Sequence, residues 1–235
     1  FSSSSFWGMM GFTLIYVGST IVLKLVWGMI MALALNQPLK GRDLYRALLF
    51  LPWALPTLTS VLAWRWMLGD VGGIVNYGLL QLGLIDRPLG WLGDPALARF
   101  SVILVNVWRG APFFGISILS ALQAIPDYLY EAALIDGASS WQAFRRITLP
   151  AIQNVVALVT LVSTIWTLAD FEIIWIMTRG GPANATHVFS TFSYLTAFRN
   201  LDLAKGVAIS LFMVPFSLLL MIVTLRFVFR EEGGA

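Results

Sequence analysis

Four charged side chains stand inside stretches that are otherwise apolar, namely Lys24, Arg109, Asp170 and Glu172. A charge inside a lipid bilayer is costly, so such residues usually pair or face a water-filled path. Counted along ideal helices, Arg109 would lie roughly 18 Å and Asp170 roughly 12 Å below the outer membrane surface. These depths allow an Arg109–Asp170 pair, which would either line a wet cavity or only tie two helices together. Asp170 and Glu172 are two positions apart and would not face each other on a helix, which disfavours an acid–base pair.

Enzymatic chemistry has few candidate residues in this chain. Cysteine is absent, which excludes disulfides, thiolate metal sites and cysteine nucleophiles. The one histidine, His187, follows a G-G-P turn, and we expect it to be a polar surface residue. We therefore predict no catalytic residue and no metal site. The net charge is +3 and the basic residues are scattered, so nucleic acid is not an expected partner.

The elements that carry the four charges are predicted to be membrane spans. Of the 235 residues, 58% are hydrophobic and 11% are charged, whereas soluble domains carry about 25% charged residues. About 20 apolar residues in helical form can cross a bilayer. We therefore predict an all-α fold, a polytopic membrane helical bundle that forms one domain over residues 1–235. The five predicted spans are residues 6–35, 44–68, 96–121, 149–177 and 204–229.

Proline and polar residues interrupt this pattern at three places. Pro52 and Pro56 remove backbone donors from the second predicted span, so that span should kink or partly unwind. Residues 69–95 read as a polar loop whose apolar piece, residues 74–84, is too short to cross. Residues 187–198 are predicted to form an amphipathic helix on the surface.

Residues 126–150 form the longest polar passage between apolar segments, and we predict two short helices there. Pro126 and Asp127 suit a first helical turn. Gly137 would end the first helix, because glycine readily adopts positive φ. Ser139 and Gln142 have the spacing of a capping box for a second short helix, which is expected to end near residue 147.

Basic residues collect on one side of the predicted bundle. The predicted location is the inner (plasma) membrane. By the positive-inside rule, the loop of residues 126–150 and the C-terminus are expected on its cytoplasmic side. The basic residues on that side are Lys40, Arg42, Arg46, Arg145, Arg146, Arg226 and Arg230.

The string E-A-A-L-I-D-G-A at residues 131–138, with I-T-L-P at 147–150, resembles the EAA loop of binding-protein-dependent ABC importer permeases. L-P-W-A-L-P, W-R-W-M and M-T-R-G-G-P resemble the maltose-permease type within that family, so the resemblance covers nearly the whole chain. It implies a type I (MetI-like) permease fold with a cytoplasmic coupling helix and, ahead of these five spans, one that is missing here. It also implies that an ATPase docks on Tyr130, Glu131, Ala132, Ala133, Asp136 and Gly137.

The same resemblance implies a set of partners. These are a second, different permease subunit, two ATPase subunits, an extracytoplasmic solute-binding protein and membrane lipid. No G-x-x-x-x-G-K-[ST] loop occurs in the chain. We therefore expect a transport subunit that is not an enzyme and holds no cofactor, with ATP and Mg²⁺ bound by the partner ATPase. Closure of the ATPase pair would push the coupling helix and switch the pathway by a rigid-body rotation.

Laid on the maltose-permease pattern, three helices present candidate residues for binding a sugar. Hydroxyl, amide and charged groups can bond sugar hydroxyls, and two aromatic rings offer stacking faces. Some family members carry asparagine where Thr167 and Asp170 stand and an uncharged residue where Arg109 stands, which suggests a different or partly charged ligand instead of maltose. Trp53 lies near a predicted interface and is assigned to an aromatic belt. The candidates are Thr57, Asn106, Arg109, Gly110, Phe113, Ser163, Trp166, Thr167 and Asp170.

Three functions follow from these patterns. The first is the permease subunit of an ABC importer for an oligosaccharide or sugar-like solute. The second is a secondary transporter or channel that works without an ATPase; it predicts internal repeats or broken helices in matching halves, and no clear repeat is visible. The third is a membrane-embedded enzyme, for which a chain without cysteine and with one histidine offers almost no candidates.

Overall fold

The computed structural model describes residues 4–38, 40–215, 217–219, 221–222 and 226, and within them it contains helices and no strand. The all-α prediction is thus confirmed. Two π-helical turns, Phe144–Thr148 and Leu195–Arg199, accompany the α-helices. The α-helices are Ser4–Leu35 (α1), Arg42–Ala54 (α2), Thr57–Met67 (α3), Ile74–Gln81 (α4), Pro95–Gln123 (α5), Asp127–Ile135 (α6), Ser140–Ala143 (α7), Leu149–Leu168 (α8), Glu172–Met177 (α9), Phe189–Tyr194 (α10) and Leu203–Leu211 (α11).

Three helices of the described part are long and apolar enough to cross a membrane, namely Ser5–Leu35, Pro95–Gln123 and Ser140–Leu168. The bent pair of α2 and α3 makes a fourth if it counts as one span. These four correspond to the first four predicted spans. The fifth predicted span begins with α11, and most of its second half lies outside the described residues.

The second span breaks at Pro56, as predicted. Leu55 adopts extended backbone, with φ −69° and ψ 142°, because a proline disfavours helical geometry in the residue before it. The axes of α2 and α3 consequently differ in direction by 91°. Pro52 is accommodated inside α2, so the second of the two prolines makes the bend.

Helix α1 packs along α5 more extensively than any other described pair of helices. Gly28 sits directly against Phe114 and Gly115, and a Cβ built on Gly28 would lie only 2.9 Å from the Gly115 backbone nitrogen. The absence of a side chain therefore lets the two helices touch. Tyr16 and Val105 are fully buried in the same contact, so α1 and α5 form the central wall of the fold.

The loop after α5 begins as predicted and then differs. Gly137 has φ +73°, and Ser139 and Gln142 form a capping box. The prediction that the second helix ends near residue 147 is wrong. Instead α7 runs through the π-turn into α8, giving one helix from Ser140 to Leu168. Pro150 has no N–H to donate, and the neighbouring turn widens, with the Leu149 N–H bonding the Phe144 carbonyl.

The fourth predicted span is interrupted before its end, since residues 169–171 separate α8 from α9. Neither proline nor glycine stands there. Asp170 supplies the local bonds: its Oδ1 accepts from the Ile173 N–H at 3.4 Å, and its carbonyl accepts from Ser190 Oγ at 2.6 Å. Non-helical backbone at membrane depth is tolerated where it is buried in protein or lines a cavity. The break at residues 169–171 is therefore expected to be buried or to line a cavity.

The segment after the G-G-P turn corrects the prediction for His187 and part of the prediction for residues 187–198. Residues 187–198 form α10 and most of the second π-turn, with Phe189, Thr191 and Ala197 buried and Tyr194 and Phe198 exposed, so only part of this segment lies on the surface. His187 is only 2% exposed. Its ring packs over Gly180, where a Cβ would overlap it, and Nδ1 lies 3.2 Å from Thr191 Oγ1. This burial lowers the pKa of His187.

Candidate functional site

A cavity of about 410 Å³ lies where the two helix breaks meet α5. All nine residues that the sequence assigned to substrate binding line it: Thr57, Asn106, Arg109, Gly110, Phe113, Ser163, Trp166, Thr167 and Asp170. The structure thus brings the whole candidate set together, and the role in substrate binding stays a prediction. Six further lining residues were not assigned to the site from sequence: Lys24, Trp53, Ala169, Phe171, Glu172 and Ile173.

The cavity residues come from helix faces and from helix ends. Helix α5 contributes four residues at helical spacing, from Asn106 to Phe113, and α8 contributes Ser163, Trp166 and Thr167 in the same way. Thr57 is the first residue of α3, immediately after the break at Pro56. The two breaks therefore supply the cavity with residues that an unbroken span would place elsewhere.

Asp170 is the centre of a hydrogen-bond network that joins three helical elements. Its Oδ2 accepts from the Tyr16 hydroxyl at 2.6 Å and from Asn106 Nδ2 at 2.9 Å. The predicted Arg109–Asp170 ion pair is wrong, because the salt bridges in the described residues join only Arg46 to Asp43 and Lys205 to Asp202. Depth along a helix does not fix the direction in which a side chain points, and Asp170 is turned towards α1.

Lys24 enters the cavity from α1 and is only 4% exposed. Its Nζ lies 3.0 Å from Thr167 Oγ1 and 3.4 Å from Ser163 Oγ, both of which can accept its hydrogen bonds. The stem of Lys24 crosses α5 at Gly110, where a Cβ would come within 2.9 Å of the lysine Cδ. Gly110 therefore makes room for the cation. A charge inside a predicted span was the one signal that pointed to Lys24, and it did not indicate the partners of the lysine.

Arg109 is half-buried and is tied to the break between α2 and α3. Its Nη2 donates to the Leu55 carbonyl at 3.3 Å. Its Nε is buried and has no hydrogen-bond partner among the described residues, and the same is true of Asn106 Oδ1. Arg109 and Asn106, a single helical turn apart on α5, thus each contain one buried polar atom that the described part of the chain does not satisfy.

Aromatic rings form the apolar part of the wall. The Phe113 and Trp166 ring centroids are 5.1 Å apart, and the Trp53 ring stacks on Phe113 with centroids 6.1 Å apart and planes 13° apart. Trp53 therefore belongs to the cavity, which its position near a predicted interface did not reveal. A cavity with apolar faces and polar groups between them suits a ring with hydroxyls at its edges.

The residues assigned to ATPase coupling lie in and just after α6, a helix with no buried residue. Glu131, Ala132, Asp136 and Gly137 are exposed, and Ala133 is half-buried. Large apolar side chains on the same helix are also open, with Leu134 76% and Ile135 86% exposed.

Tyr130, the remaining residue of the coupling set, links α6 to the membrane helices. Its hydroxyl lies 2.8 Å from Thr148 Oγ1 at the end of the first π-turn.

Comparison with known proteins adds three findings. Residues 24–232 match the family described as binding-protein-dependent transport system inner membrane component. The trehalose/maltose transport system permease protein MalF of Thermococcus litoralis is 39% identical over 211 residues, which cover 89% of this chain and 70% of that protein. A probable ABC transporter permease protein of Brucella suis is 37% identical over 229 residues, which cover 97% of this chain and 78% of that protein.

The fold has a close match among solved structures. One chain in a crystal structure of a bacterial alginate ABC transporter, in complex with an alginate pentasaccharide-bound periplasmic protein, superposes with a TM-score of 0.84. It is 26% identical, and the match covers 95% of this chain and 78% of that chain.

Proposed function

Because the chain belongs to the family of binding-protein-dependent transport system inner membrane components, we propose that it forms, with a second permease subunit, the pathway of an ABC importer for a carbohydrate. The observation that carries the proposal is the cavity where the breaks in the second and fourth spans meet. Discontinuous helices near the membrane's middle are typical of transport sites, including those of secondary transporters, so the breaks support transport and the family match favours the ABC importer.

The carbohydrate part of the proposal rests on the composition of the cavity and on the names of relatives. Phe113, Trp166 and Trp53 offer ring faces, while Thr167, Ser163 and Asn106 offer hydrogen-bonding groups between them. Apolar walls with a few placed polar groups fix the orientation of a small ligand. The relative from Thermococcus litoralis is named for trehalose and maltose, and the matched crystal structure for alginate.

The partners follow from the family and from the exposed surface of α6. We propose two ATPase subunits, which would bind ATP and Mg²⁺, and an extracytoplasmic binding protein that delivers the solute. The sequence holds no phosphate-binding loop of its own. The inner membrane is the location, with α6 and the C-terminus on the cytoplasmic side.

The structure offers a direct mechanical route from α6 to the cavity. Tyr130 of α6 contacts Thr148, which lies in the continuous helix Ser140–Leu168. The far part of that helix carries Ser163 and Thr167, roughly 35 Å from its start at the usual helical rise. Movement of α6 by an ATPase would therefore reach the substrate side through one rigid rod.

The test is reconstitution of the complete transporter in proteoliposomes. The chain is co-expressed with the second permease and the ATPase subunits, and ATP hydrolysis is measured with the binding protein and a panel of oligosaccharides. We expect one class of oligosaccharide to raise ATP hydrolysis and to accumulate inside. Uptake by the purified chain alone, without ATP or an ATPase, would refute the proposal and favour a secondary transporter or channel.

A further inference from the structure

We propose that the ligand of this cavity carries a carboxylate, as an acidic saccharide built from uronic acid units does, and that Arg109 selects for it. The inference rests on the carbohydrate-permease function proposed above and narrows it to a charged class of sugar. Arg109 carries the argument, because it lines the cavity and forms no salt bridge among the described residues.

Arg109 has a positive charge that the described protein does not pair. No salt bridge of the described residues involves it. Its one hydrogen bond goes to a neutral backbone carbonyl, that of Leu55, and its Nε is buried without a partner. A planar guanidinium with free N–H groups matches the two oxygens of a carboxylate and binds them more strongly than neutral acceptors.

The carboxylate of Asp170 is already engaged elsewhere. Tyr16, Asn106 and the Ile173 N–H all donate to it. The second cation, Lys24, bonds to the hydroxyls of Thr167 and Ser163. Arg109 therefore lines the cavity without a charged partner among the described residues, and a ligand carboxylate would supply one.

Glu172 is the other carboxylate on the cavity wall, and it is exposed. No salt bridge joins it to Arg109 among the described residues. Because like charges repel, a ligand carboxylate is expected to occupy the Arg109 side of the cavity, away from Glu172.

The aromatic part of the wall fits the remainder of the ligand. While the carboxylate of a sugar acid accepts from Arg109, its C–H face can rest on Phe113 and Trp166, whose rings are 5.1 Å apart.

The test measures binding to the assembled complex of both permeases and the ATPases, without the binding protein, in lipid nanodiscs. The probes are short oligomers of galacturonate, glucuronate and mannuronate, each compared with its carboxyl-reduced neutral counterpart by calorimetry. We expect at least one acidic oligomer to bind about tenfold more tightly than its neutral counterpart, which corresponds to one charge-assisted hydrogen-bonded pair. In Arg109→Gln this ratio should fall to near one.

Two further variants distinguish loss of the Arg109 charge from a general loss of structure. Arg65 is a matched control, because its Nη1 also donates to a backbone carbonyl, that of Ile176 at 2.9 Å, and it does not line this cavity. Arg65→Gln should keep the acid-to-neutral ratio, and Arg109→Lys should keep part of it. Equal binding of every acidic and neutral pair, or an unchanged ratio in Arg109→Gln, would overturn this inference alone. Absence of binding by any saccharide would contradict the carbohydrate function itself.

Discussion

The cavity and the helix α6 stand in contrast within one chain. Around the cavity, Tyr16, Lys24 and Asp170 are held by hydrogen bonds that span helices far apart in sequence. On α6, by contrast, no residue is buried, and among the described residues one side-chain hydrogen bond, between Tyr130 and Thr148, joins the helix to the rest of the chain. A site that meets a small ligand must be shaped by the chain itself, whereas a surface that meets another protein can be left open until the partner covers it.

The largest effect is expected at Asp170, where the cavity network converges. Asp170→Ala would leave the Tyr16 hydroxyl without its acceptor and remove one of the two acceptors of the Asn106 amide, at a cost of about 3 kcal/mol in the free energy of unfolding. We expect a clear fall in the thermal midpoint of the detergent-solubilised complex. Asp170→Asn keeps an acceptor oxygen and should fall less. A midpoint for Asp170→Ala equal to that of the unaltered protein would show that the network does not stabilise the cavity.

The next largest effect on stability is expected at the contact between α1 and α5. Gly28→Ala would force a Cβ into Phe114 and to within 2.9 Å of the Gly115 backbone nitrogen, which we expect to cost about 2 kcal/mol as overpacking. Gly18→Ala is the matched control on the same helix, because a Cβ there meets nothing within 4 Å. Its midpoint should stay the same or rise, since alanine favours a helix over glycine. Equal midpoints in the two variants would mean that α1 and α5 can move apart freely.

The buried His187 makes the stability of the fold depend on pH. Its burial lowers its pKa, so the unfolded chain takes up a proton at a pH where the folded chain does not. Stability should therefore fall as pH drops below the unfolded value of about 6.5, by at most about 1.4 kcal/mol per pH unit. The thermal midpoint should decline between pH 7.5 and 5.5, and His187→Gln should show a smaller decline. The same decline in both proteins would assign the effect to other groups.

A smaller change is expected at the link between the two regions. Tyr130→Phe removes the hydroxyl that lies 2.8 Å from Thr148, a loss of about 1 kcal/mol. We expect the complex to assemble and hydrolyse ATP, with less solute transported per ATP. Tyr128→Phe is the control, because Tyr128 is 65% exposed on the same helix. Unchanged transport per ATP in Tyr130→Phe would show that the coupling does not pass through this contact.

The smallest effect on stability is expected on α6 itself. Glu131 is exposed, so Glu131→Ala should change the free energy of unfolding by less than about 0.5 kcal/mol. The same variant should nevertheless retain less ATPase when the complex is purified by a tag on this chain. Asp86→Ala, at another exposed carboxylate, should retain the normal amount. Full ATPase retention in Glu131→Ala would remove this carboxylate from the proposed docking surface.

The sequence could predict what local chemistry determines. Pro56 and Gly137 act through their own backbone preferences, and both were placed correctly. The nine cavity candidates came from motifs carried on three spans, and all nine line one cavity. Helical spacing brought most of them to common faces, so their gathering depended on little beyond the order of the spans.

The remaining features depend on contacts between distant segments. The break at residues 169–171 has no proline or glycine to announce it, and it is held by Asp170 and Ser190. His187 is buried because the chain folds back over Gly180. The pairing of Arg109 with Asp170 failed because depth in the membrane says nothing about rotation around a helix axis. These features form only when distant segments of the chain come into contact.

The hydrogen bond between Lys24 and Thr167 also has a consequence for synthesis, because Lys24 is made well before its partner. The two residues are 143 positions apart in sequence. At the usual pace of translation, roughly 5–20 residues per second, the ammonium group waits roughly 7–30 s before its hydroxyl partner has been synthesised. During that interval water, lipid headgroups or the insertion machinery must shelter it. Each newly made molecule therefore passes through a stage in which the Lys24 ammonium of α1 has not yet met its hydroxyl partner.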